Sequence, residues 1–541
     1  MPTTDLPTSV TFQAEVIAGL KRSRAYPHPV SVVEVLQTHI SYVLLAGEFA
    51  YKIKKAVDLG FLDFRTLAAR QHFCQEEVRL NRRTAPDLYL DVVGICGTAD
   101  NPFINGTGSP IEYAVRMRRF DRNATLDRLL DRGLLDPSVV DATADAMVAF
   151  HRSLAAGPLE HGMGEIRSIE YPTEANLSCL SKHVSSLRGK ALLAAHALWV
   201  AQQHEALRSA FLRRLADGYV RECHGDLHLS NIAWIDGRAV FFDCIDFDPD
   251  LRWIDVMNEL AFLAMDLQSR DRSDLSWRLI NRYLDSTGDY GGLEVLRYYM
   301  AYRAMVRAKV AILQATQDTP DSGVEAERAS ANYLRLAATY AELPFPTIIL
   351  THGFSGSGKS FLTEELCQIG GAIRLRSDVE RKRIHGLSAR DHSQARVGST
   401  LYRADATRAT YQRLRELAAQ TIRWGYPVIV DAAFLAGWQR KLFLDLASSF
   451  GVPCVIVDLE VELEVLRERV LARHGHGQDA SDADLAVLEW QVATSEPLNS
   501  EELAITVRAD LGTLPLASTP EALWARIDSE LRRQRLVIAH P

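Results

Sequence analysis

Polar side chains within residues 224–247 have the types and the spacing that phosphoryl transfer to a hydroxyl group requires. The stretch reads HGDLHLSNIAWIDGRAVFFDCIDF and begins with the pattern H-x-D-x-x-x-x-N. In this chemistry a carboxylate accepts the proton of the attacking hydroxyl, and an amide oxygen helps to hold a magnesium ion. Asp226 is therefore the candidate catalytic base and Asn231 a candidate metal ligand, while His224 is expected to orient the loop.

A second metal ligand is expected after the hairpin that follows this loop. Residues 232–242 are predicted to form a hairpin that turns at Asp236-Gly237, a pair that favours a tight turn. The hairpin returns the chain towards Asn231, where Asp243 and Asp246 are both candidates. Because they stand three positions apart, an extended strand would point them to opposite faces, and at most one is expected to face the metal.

A cation for the nucleotide phosphates is predicted on the strand FAYKIK. Lys52 and Lys54 alternate along this strand and therefore share one face. In the same chemistry a strand lysine holds the α and β phosphates, and a helix glutamate forms an ion pair with it. The helix predicted to follow carries Glu76 and Glu77, and either is a candidate partner for Lys52.

A separate phosphate-binding motif, GFSGSGKS, occupies residues 353–360. It follows the apolar strand TIIL and begins a helix, the context in which such loops hold nucleotide phosphates through backbone N–H groups. Lys359 is expected to hold the β and γ phosphates, and Ser360 a magnesium ion. The other loop residues expected to contact the nucleotide are Gly353, Ser355, Gly356, Ser357 and Gly358.

Carboxylates follow two later strands of this half. Asp378 comes after AIRLRS, and Asp431 ends YPVIVD. Open α/β sheets bind ligands at the carboxyl ends of their strands. Asp378 is therefore a candidate to accept a substrate proton, and Asp431 a candidate to hold magnesium through water. A helix cap is the alternative interpretation of each.

The predicted elements divide the chain into two domains. Residues 1–342 are expected to form a β-rich lobe, about 1–120, and a helical lobe, about 121–342, with a polar loop over 315–326. From 343 to 541 short apolar strands alternate with helices, which predicts a doubly wound parallel sheet. The join is expected at residues 343–346, LPFP, because proline ends a helix and favours extended chain. The fold class is thus α+β followed by α/β.

Bulk composition argues against several classes of protein. The chain has 541 residues, too many for one ordinary core. No apolar run reaches the roughly 18 residues of a membrane span, and no signal peptide pattern is present. The net charge of −8 argues against a general nucleic-acid binder. Seven scattered cysteines without a C-x-x-C pair favour reduced thiols, so we expect a cytoplasmic protein.

The first half resembles the aminoglycoside phosphotransferase family over roughly residues 30–315. HGDLHLSN matches the catalytic loop of that family, and CIDF resembles its I-D-F metal motif. The resemblance implies a bilobal, protein-kinase-like fold with Asp246 as the metal ligand. The hairpin is about two residues longer than that family implies, so Asp243 stays an alternative.

The same resemblance implies how the first lobe holds a nucleotide. Lys52 matches the strand lysine of the family, with Glu77 or Glu76 as its helix partner. Met117 falls at the hinge between the lobes, where an adenine ring meets backbone groups in such kinases. A G-x-G-x-x-G loop is absent from this lobe, as it commonly is in the family.

The second half resembles a branch of P-loop kinases over about residues 345–510. That branch includes gluconate kinase, the kinase domain of polynucleotide kinase and zeta toxins. RSDVERKR and DAAFLAGWQR are similar to its substrate-side motifs, and EVLRERVLAR resembles its lid. The resemblance implies that Arg467 and Arg473 close over the transferred phosphoryl group, with an ordinary solvated arginine face as the alternative.

Together the resemblances imply a bifunctional phosphotransferase that uses ATP or GTP with Mg²⁺ at two sites. The acceptors would be hydroxyl groups of small molecules, with no membrane partner. One alternative is a single active kinase regulated by a P-loop nucleotide switch. Another is action on RNA ends or nucleotide sugars, although no basic stretch rich in aromatic residues supports RNA binding.

Overall fold

The computed structural model describes residues 9–60, 62–157, 166–315, 320–342, 345–387, 404–473, 484–510 and 519–539. By its internal contacts the chain forms two compact units. One comprises Met1–Ser178 and His204–Asp266, and the other Cys179–Gln203 and Leu267–Pro541. The first two residues of the expected join, 343 and 344, lie outside the described residues. A domain boundary at 342 therefore stays a prediction.

An antiparallel sheet and two helices form the N-terminal lobe of the first unit. The helices are α1 (Val10–Leu20) and α2 (Leu67–Asn81). The strands are β1 (Val33–Gln37), β2 (Ser41–Ala46), β3 (Phe49–Lys54), β4 (Tyr89–Thr98), β5 (Asn101–Ile104) and β6 (Glu112–Arg118). Their order in the sheet is β1-β2-β3-β6-β4-β5. Apolar side chains of α1 and of the strands form the buried core of this lobe.

Helices and short strands follow this sheet along the chain. They are α3 (Leu126–Asp131), α4 (Pro137–Ser153), α5 (Ile166–His183), α6 (Leu187–Ala216), β7 (Val220–Glu222), β8 (Ile232–Ile235), β9 (Arg238–Phe241), β10 (Trp253–Asp255) and α7 (Val256–Ser269). Strands β8 and β9 form the predicted hairpin, in which Ile232 lies opposite Phe241. Asp236 and Gly237 make its turn with φ of 50° and 73°.

A parallel sheet of five strands organises the second unit. Its strands are β11 (Ile348–His352), β12 (Ile373–Arg376), β13 (Val428–Asp431), β14 (Cys454–Glu460) and β15 (Thr506–Asp510), in the order β12-β13-β11-β14-β15. The prediction of a doubly wound parallel sheet is confirmed. The helices are α8 (Ser273–Thr287), α9 (Leu293–Ala315), α10 (Pro320–Ala341), α11 (Lys359–Gly370), α12 (Ser377–Ile384), α13 (Ala404–Arg423), α14 (Gly437–Phe450), α15 (Leu463–Arg473), α16 (Leu485–Thr494), α17 (Ser500–Leu503) and α18 (Pro520–Ala539).

The prediction of a loop over residues 315–326 is wrong for the part that the structure describes, because residues 315 and 320–326 are helical. Pro320 begins α10, and proline suits the first position of a helix. Further along α10, Leu334 and Ala337 are buried. Such packing stabilises a helix whose first turns are polar. Among the described residues, no helix is both long and apolar enough to cross a membrane.

Candidate functional sites

The catalytic-loop candidates of the first half lie between β7 and β8. The Nδ2 of Asn231 donates to the backbone carbonyl of Asp226 at 2.9 Å and to its Oδ2 at 3.1 Å. These bonds use the amide nitrogen and turn the amide oxygen of Asn231 away from Asp226. The side chain of Asp226 is 38% exposed. The loop therefore offers a carboxylate to an incoming hydroxyl and an oxygen of the kind that magnesium prefers.

A buried glutamate of α7 holds the backbone of this loop. The Oε1 of Glu259 accepts the N–H groups of His224 at 2.6 Å and Gly225 at 2.8 Å. Its Oε2 lies 2.8 Å from the Nε2 of His151. Burial opposes ionisation of Glu259, yet His151 and the backbone donors lower the pKa of its carboxyl. Glu259 thus acts as a fixed anion beneath the loop.

His224 connects the loop to the far end of the hairpin. Its Nε2 lies 2.9 Å from the carbonyl oxygen of Phe242. Burial lowers the pKa of the imidazole, which favours its neutral form. This contact agrees with the expectation that His224 orients the loop rather than transferring protons.

Two lysines and three carboxylates meet beside the loop. The Nζ of Lys52 lies 2.7 Å from the Oε1 of Glu77, and the Nζ of Lys54 lies 2.8 Å from its Oε2. Lys52 also contacts Asp243, and Lys54 contacts Asp246. Glu77 is 1% exposed, and burial opposes its ionisation, but the two lysines lower its pKa to about 2. Lys54 was not among the predicted site residues. Its position on the same face of β3 as Lys52 could have indicated that it also reaches Glu77.

Asp243 and Asp246 both turn towards the lysines of β3, so the expectation of opposite faces is wrong. The backbone of Asp243 is left-handed, with φ of 65°, and its N–H donates to the Tyr89 hydroxyl at 3.1 Å. This conformation interrupts the alternation of an extended strand. The two carboxylates differ in exposure, at 48% for Asp243 and 6% for Asp246. Burial raises the pKa of Asp246 to about 6, although Lys54 opposes the shift.

Helix α2, which carries Glu77, is fixed to the sheet by a buried ion pair. The Nε of Arg70 lies 2.8 Å from the Oε1 of Glu112, the first residue of β6. At the other end of β6, Met117 is half-buried and lies opposite Ala50 of β3. The predicted hinge residue thus belongs to the strand next to the lysine strand.

Replacing Glu77 by Gln is expected to lower the free energy of unfolding by about 3–5 kcal/mol, because Lys52 and Lys54 would lose a buried anion. Denaturant unfolding measures this change. The matched control is Glu76→Gln, since Glu76 pairs with Arg79 at 2.9 Å nearer the surface. That variant should lose less than about 1 kcal/mol. Equal losses in the two variants would contradict the central position of Glu77.

The glycine-rich loop of the second half precedes α11. Gly353, Gly356 and Gly358 have φ of 157°, 85° and 89°. A Cβ at Gly356 would lie 3.1 Å from the carbonyl oxygen of Leu466 and from a methyl group of Val470 in α15. Glycine therefore permits both the left-handed backbone and the close approach of α15.

The side chains of Lys359 and Gln491 form hydrogen bonds with the backbone of this loop. The Nζ of Lys359 donates to the carbonyl oxygens of Gly353 at 3.0 Å and Phe354 at 2.7 Å, so it lies over the loop. The N–H of Ser355 donates to the Oε1 of Gln491 in α16 at 2.8 Å. Ser357 is buried. Lysine, backbone amides and the start of a helix thus converge where phosphates bind in such loops.

The two carboxylates predicted at strand ends have different surroundings. Asp431 is buried at the end of β13, where its Oδ2 accepts the hydroxyl of Thr363 in α11 at 3.3 Å. It therefore lies beside the helix that begins with Lys359. Asp378 lies in the first turn of α12 and accepts from the Nη1 of Arg381 at 3.3 Å. The N-caps of α12 and α14 are Arg376 and Ala436, so neither aspartate caps these helices.

The arginines predicted to cover the phosphates are described only in part. Arg467 is exposed on α15. The side chain of Arg473, at the end of this helix, lies outside the described residues, as do residues 474–483 that follow it. The prediction that these arginines act on the phosphoryl group thus stays open.

Sequence reasoning missed Glu259, His151 and Thr363. Glu259 contacts the catalytic loop from a distant part of the chain, and His151 contacts Glu259. No local pattern specifies such contacts. The available signal is one charged residue within the apolar run NELAFLAM. A carboxylate buried in such a helix requires a hydrogen-bonding partner.

Two family models match separate parts of the chain. Residues 110–299 match the family model described as phosphotransferase enzyme family, and residues 348–498 match one described as AAA domain. An uncharacterized protein of Mycobacterium tuberculosis (strain ATCC 25618 / H37Rv) is 29% identical over 464 residues, which cover 85% of this chain and 91% of that protein.

Solved structures similar to each half are also known. A gluconokinase from Sinorhizobium meliloti 1021 is 23% identical, with 36% of this chain and 97% of that chain covered and a TM-score of 0.25. A choline/ethanolamine kinase family protein from Mesorhizobium loti is 14% identical, with 60% of this chain and 99% of that chain covered and a TM-score of 0.35. The family matches confirm the predicted order of a phosphotransferase domain with a protein-kinase-like fold and a P-loop kinase domain.

Proposed function

We propose that this chain, in which a domain of the phosphotransferase enzyme family precedes a P-loop kinase domain, transfers phosphoryl groups at two separate sites. Each site would move the γ-phosphoryl group of ATP or GTP to a hydroxyl group of a small molecule. The observation that carries the proposal is that Lys52 pairs with Glu77 in one half, while in the other Lys359 lies over the glycine-rich loop and Asp431 lies beside α11.

The seven cysteines are free thiols, which fits a cytoplasmic location.

At the first site Asp226 would accept the proton of the acceptor hydroxyl. Lys52, held by Glu77 at 2.7 Å, would bind the nucleotide phosphates. Asn231 and one of the two later aspartates would hold magnesium, whose charge neutralises the phosphate oxygens when it is bound. Positioning of the hydroxyl in line with the phosphoryl group would then supply much of the rate.

We favour Asp243 over Asp246 as the carboxylate for magnesium. Asp243 is the more exposed of the two and shares Lys52 with Glu77, so it lies beside the group proposed to bind phosphates. Asp246 is nearly buried and contacts the buried Lys54. Direct contact with a metal that arrives with a nucleotide favours the more accessible of the two carboxylates. This assignment departs from the resemblance to the I-D-F motif, which implies Asp246.

Asp243→Asn is expected to raise the magnesium concentration for half-maximal first-site transfer by at least about tenfold, because the metal would lose an anionic ligand. Initial rates measured over a magnesium titration test this. Asp246→Asn is the matched comparison, since it removes a nearby charge from the pair with Lys54 and should change the requirement less. The opposite order of the two effects would assign the metal to Asp246.

At the second site the loop of residues 353–360 would bind the phosphates through its N–H groups and Lys359. Ser360 and, through water, Asp431 would hold magnesium, and the contact of Asp431 with Thr363 of α11, the helix that also carries Ser360, supports this role. Asp378 would accept the proton of the acceptor hydroxyl, and Arg467 and Arg473 would close over the phosphoryl group.

Transfer from γ-labelled nucleotide by wild type, Asp226→Asn and Lys359→Ala tests the whole proposal, because each variant should lose one set of products.

A further inference from the structure

Helix α8 is bonded to the edge strand of the P-loop sheet within the second unit. The Nδ2 of Asn281 donates to the carbonyl oxygen of Ala372 at 2.9 Å, and its Oδ1 accepts the N–H of Arg374 at 2.7 Å. One side-chain amide thus pairs with the N–H of Arg374 in β12 and with the carbonyl of Ala372 just before this strand, as a neighbouring strand would. Helix α8 also lies within residues 110–299, which match the phosphotransferase enzyme family.

A buried carboxylate of α8 lies against two arginines of β12. The Oδ2 of Asp285 is 3.2 Å from the Nη2 of Arg374 and 3.8 Å from the Nη1 of Arg376. Its Oδ1 accepts the hydroxyl of Tyr290 at 3.4 Å. Because Asp285 is buried, the interaction with these arginines is weakly screened by solvent.

Each of the two arginines that pair with Asp285 also contacts a residue proposed to hold magnesium. The Nη1 of Arg374 donates to the backbone carbonyl of Ser360 at 3.2 Å. The Nε of Arg376 lies 3.8 Å from the Oδ2 of Asp431. Asp285 and Asp431 therefore share the positive charge of Arg376.

We propose that Asp285 is a positioning residue for the magnesium–nucleotide site of the P-loop domain, supplied by a helix of the phosphotransferase-family region. The inference rests on the proposed function, which gives Ser360 and Asp431 to magnesium. Without the carboxylate of Asp285, the ion pair of Arg376 with Asp431 would strengthen and compete with the cation. Arg374 would keep Glu364, 3.6 Å from its Nη1, but would lose the buried carboxylate beside its Nη2. A helix from the region that matches the phosphotransferase enzyme family would thus support the P-loop site.

The test is binding of a non-hydrolysable ATP analogue to the full chain, measured by calorimetry over a magnesium titration. The second-site signal is the component that Lys359→Ala removes. Asp285→Asn should raise the magnesium concentration for half-maximal binding on the order of tenfold, with little change in affinity without magnesium. Asp274→Asn is the matched control, because Asp274 lies on the same helix and pairs with Arg272 at 2.7 Å.

A double variant separates competition for charge from damage to the fold. Asp285→Asn with Arg376→Gln should return the magnesium requirement towards wild type, because the competing cation is gone. An unchanged requirement in folded Asp285→Asn, or equal losses of affinity with and without magnesium, would overturn the inference. If Asp285→Asn does not fold, the single variant Arg376→Gln provides the test. Its magnesium concentration for half-maximal binding should fall below that of wild type. An unchanged or higher concentration would contradict the inference. If Lys359→Ala removes no binding component, the proposed second site itself fails, and this inference with it.

Discussion

Asp226→Asn is expected to lower kcat for first-site transfer by about 10²–10⁴-fold, the range that a positioned general base contributes. An asparagine keeps the size of the side chain but cannot accept the proton of the hydroxyl. KM for the nucleotide should change little, because Lys52 and Glu77 stay in place. Rates of labelled-product formation measure both constants, and a loss confined to kcat identifies an interaction of the transition state.

Asp236→Asn is the matched control for this substitution. Asp236 lies in the turn between β8 and β9 with φ of 50°, a backbone conformation that asparagine also adopts. The control should retain wild-type kcat and thermal stability. First-site transfer that survives in Asp226→Asn would remove Asp226 from the proposed role of base.

Lys359→Ala is expected to lower second-site transfer by about 10²–10³-fold, as loss of one strong electrostatic contact to the reacting group does elsewhere. The lysine is the cation of the loop of residues 353–360, and its Nζ lies 2.7 Å from the carbonyl oxygen of Phe354. Alanine would leave the loop glycines and α11 intact while removing the charge. First-site rates in the same protein should stay at the wild-type value.

Lys441→Ala provides the control for the loss of a lysine. Lys441 is exposed on α14 and pairs with Asp445 at 2.8 Å. This variant should keep both activities. If Lys359→Ala instead changed first-site transfer, and no product depended on the second site, the P-loop domain would be a nucleotide switch rather than a second enzyme.

Much of the local structure follows from short-range pattern. The alternation of FAYKIK predicts β3 with Lys52 and Lys54 on one face, and both lysines do reach Glu77. The Asp236-Gly237 pair predicts the turn of the hairpin. A glycine-rich loop between an apolar strand and a helix predicts the phosphate loop, because its glycines permit left-handed backbone that other residues resist. The roles of these side chains in catalysis stay predictions.

Contacts between distant parts of the chain could not be predicted in the same way. Glu259 lies on α7 and Asp285 on α8, and the partners of both are set by packing rather than by spacing. The expectation that Asp243 and Asp246 point to opposite faces failed for a related reason. A left-handed residue after β9 turned both carboxylates to β3, which strand alternation does not anticipate.

The most direct test of two separate sites is incubation of a metabolite extract with γ-labelled ATP and magnesium. Wild type, Asp226→Asn and Lys359→Ala are compared, and their labelled products are separated. Each variant is expected to lose products which the other retains. Identical product patterns in the wild type and both variants would contradict the presence of two active sites.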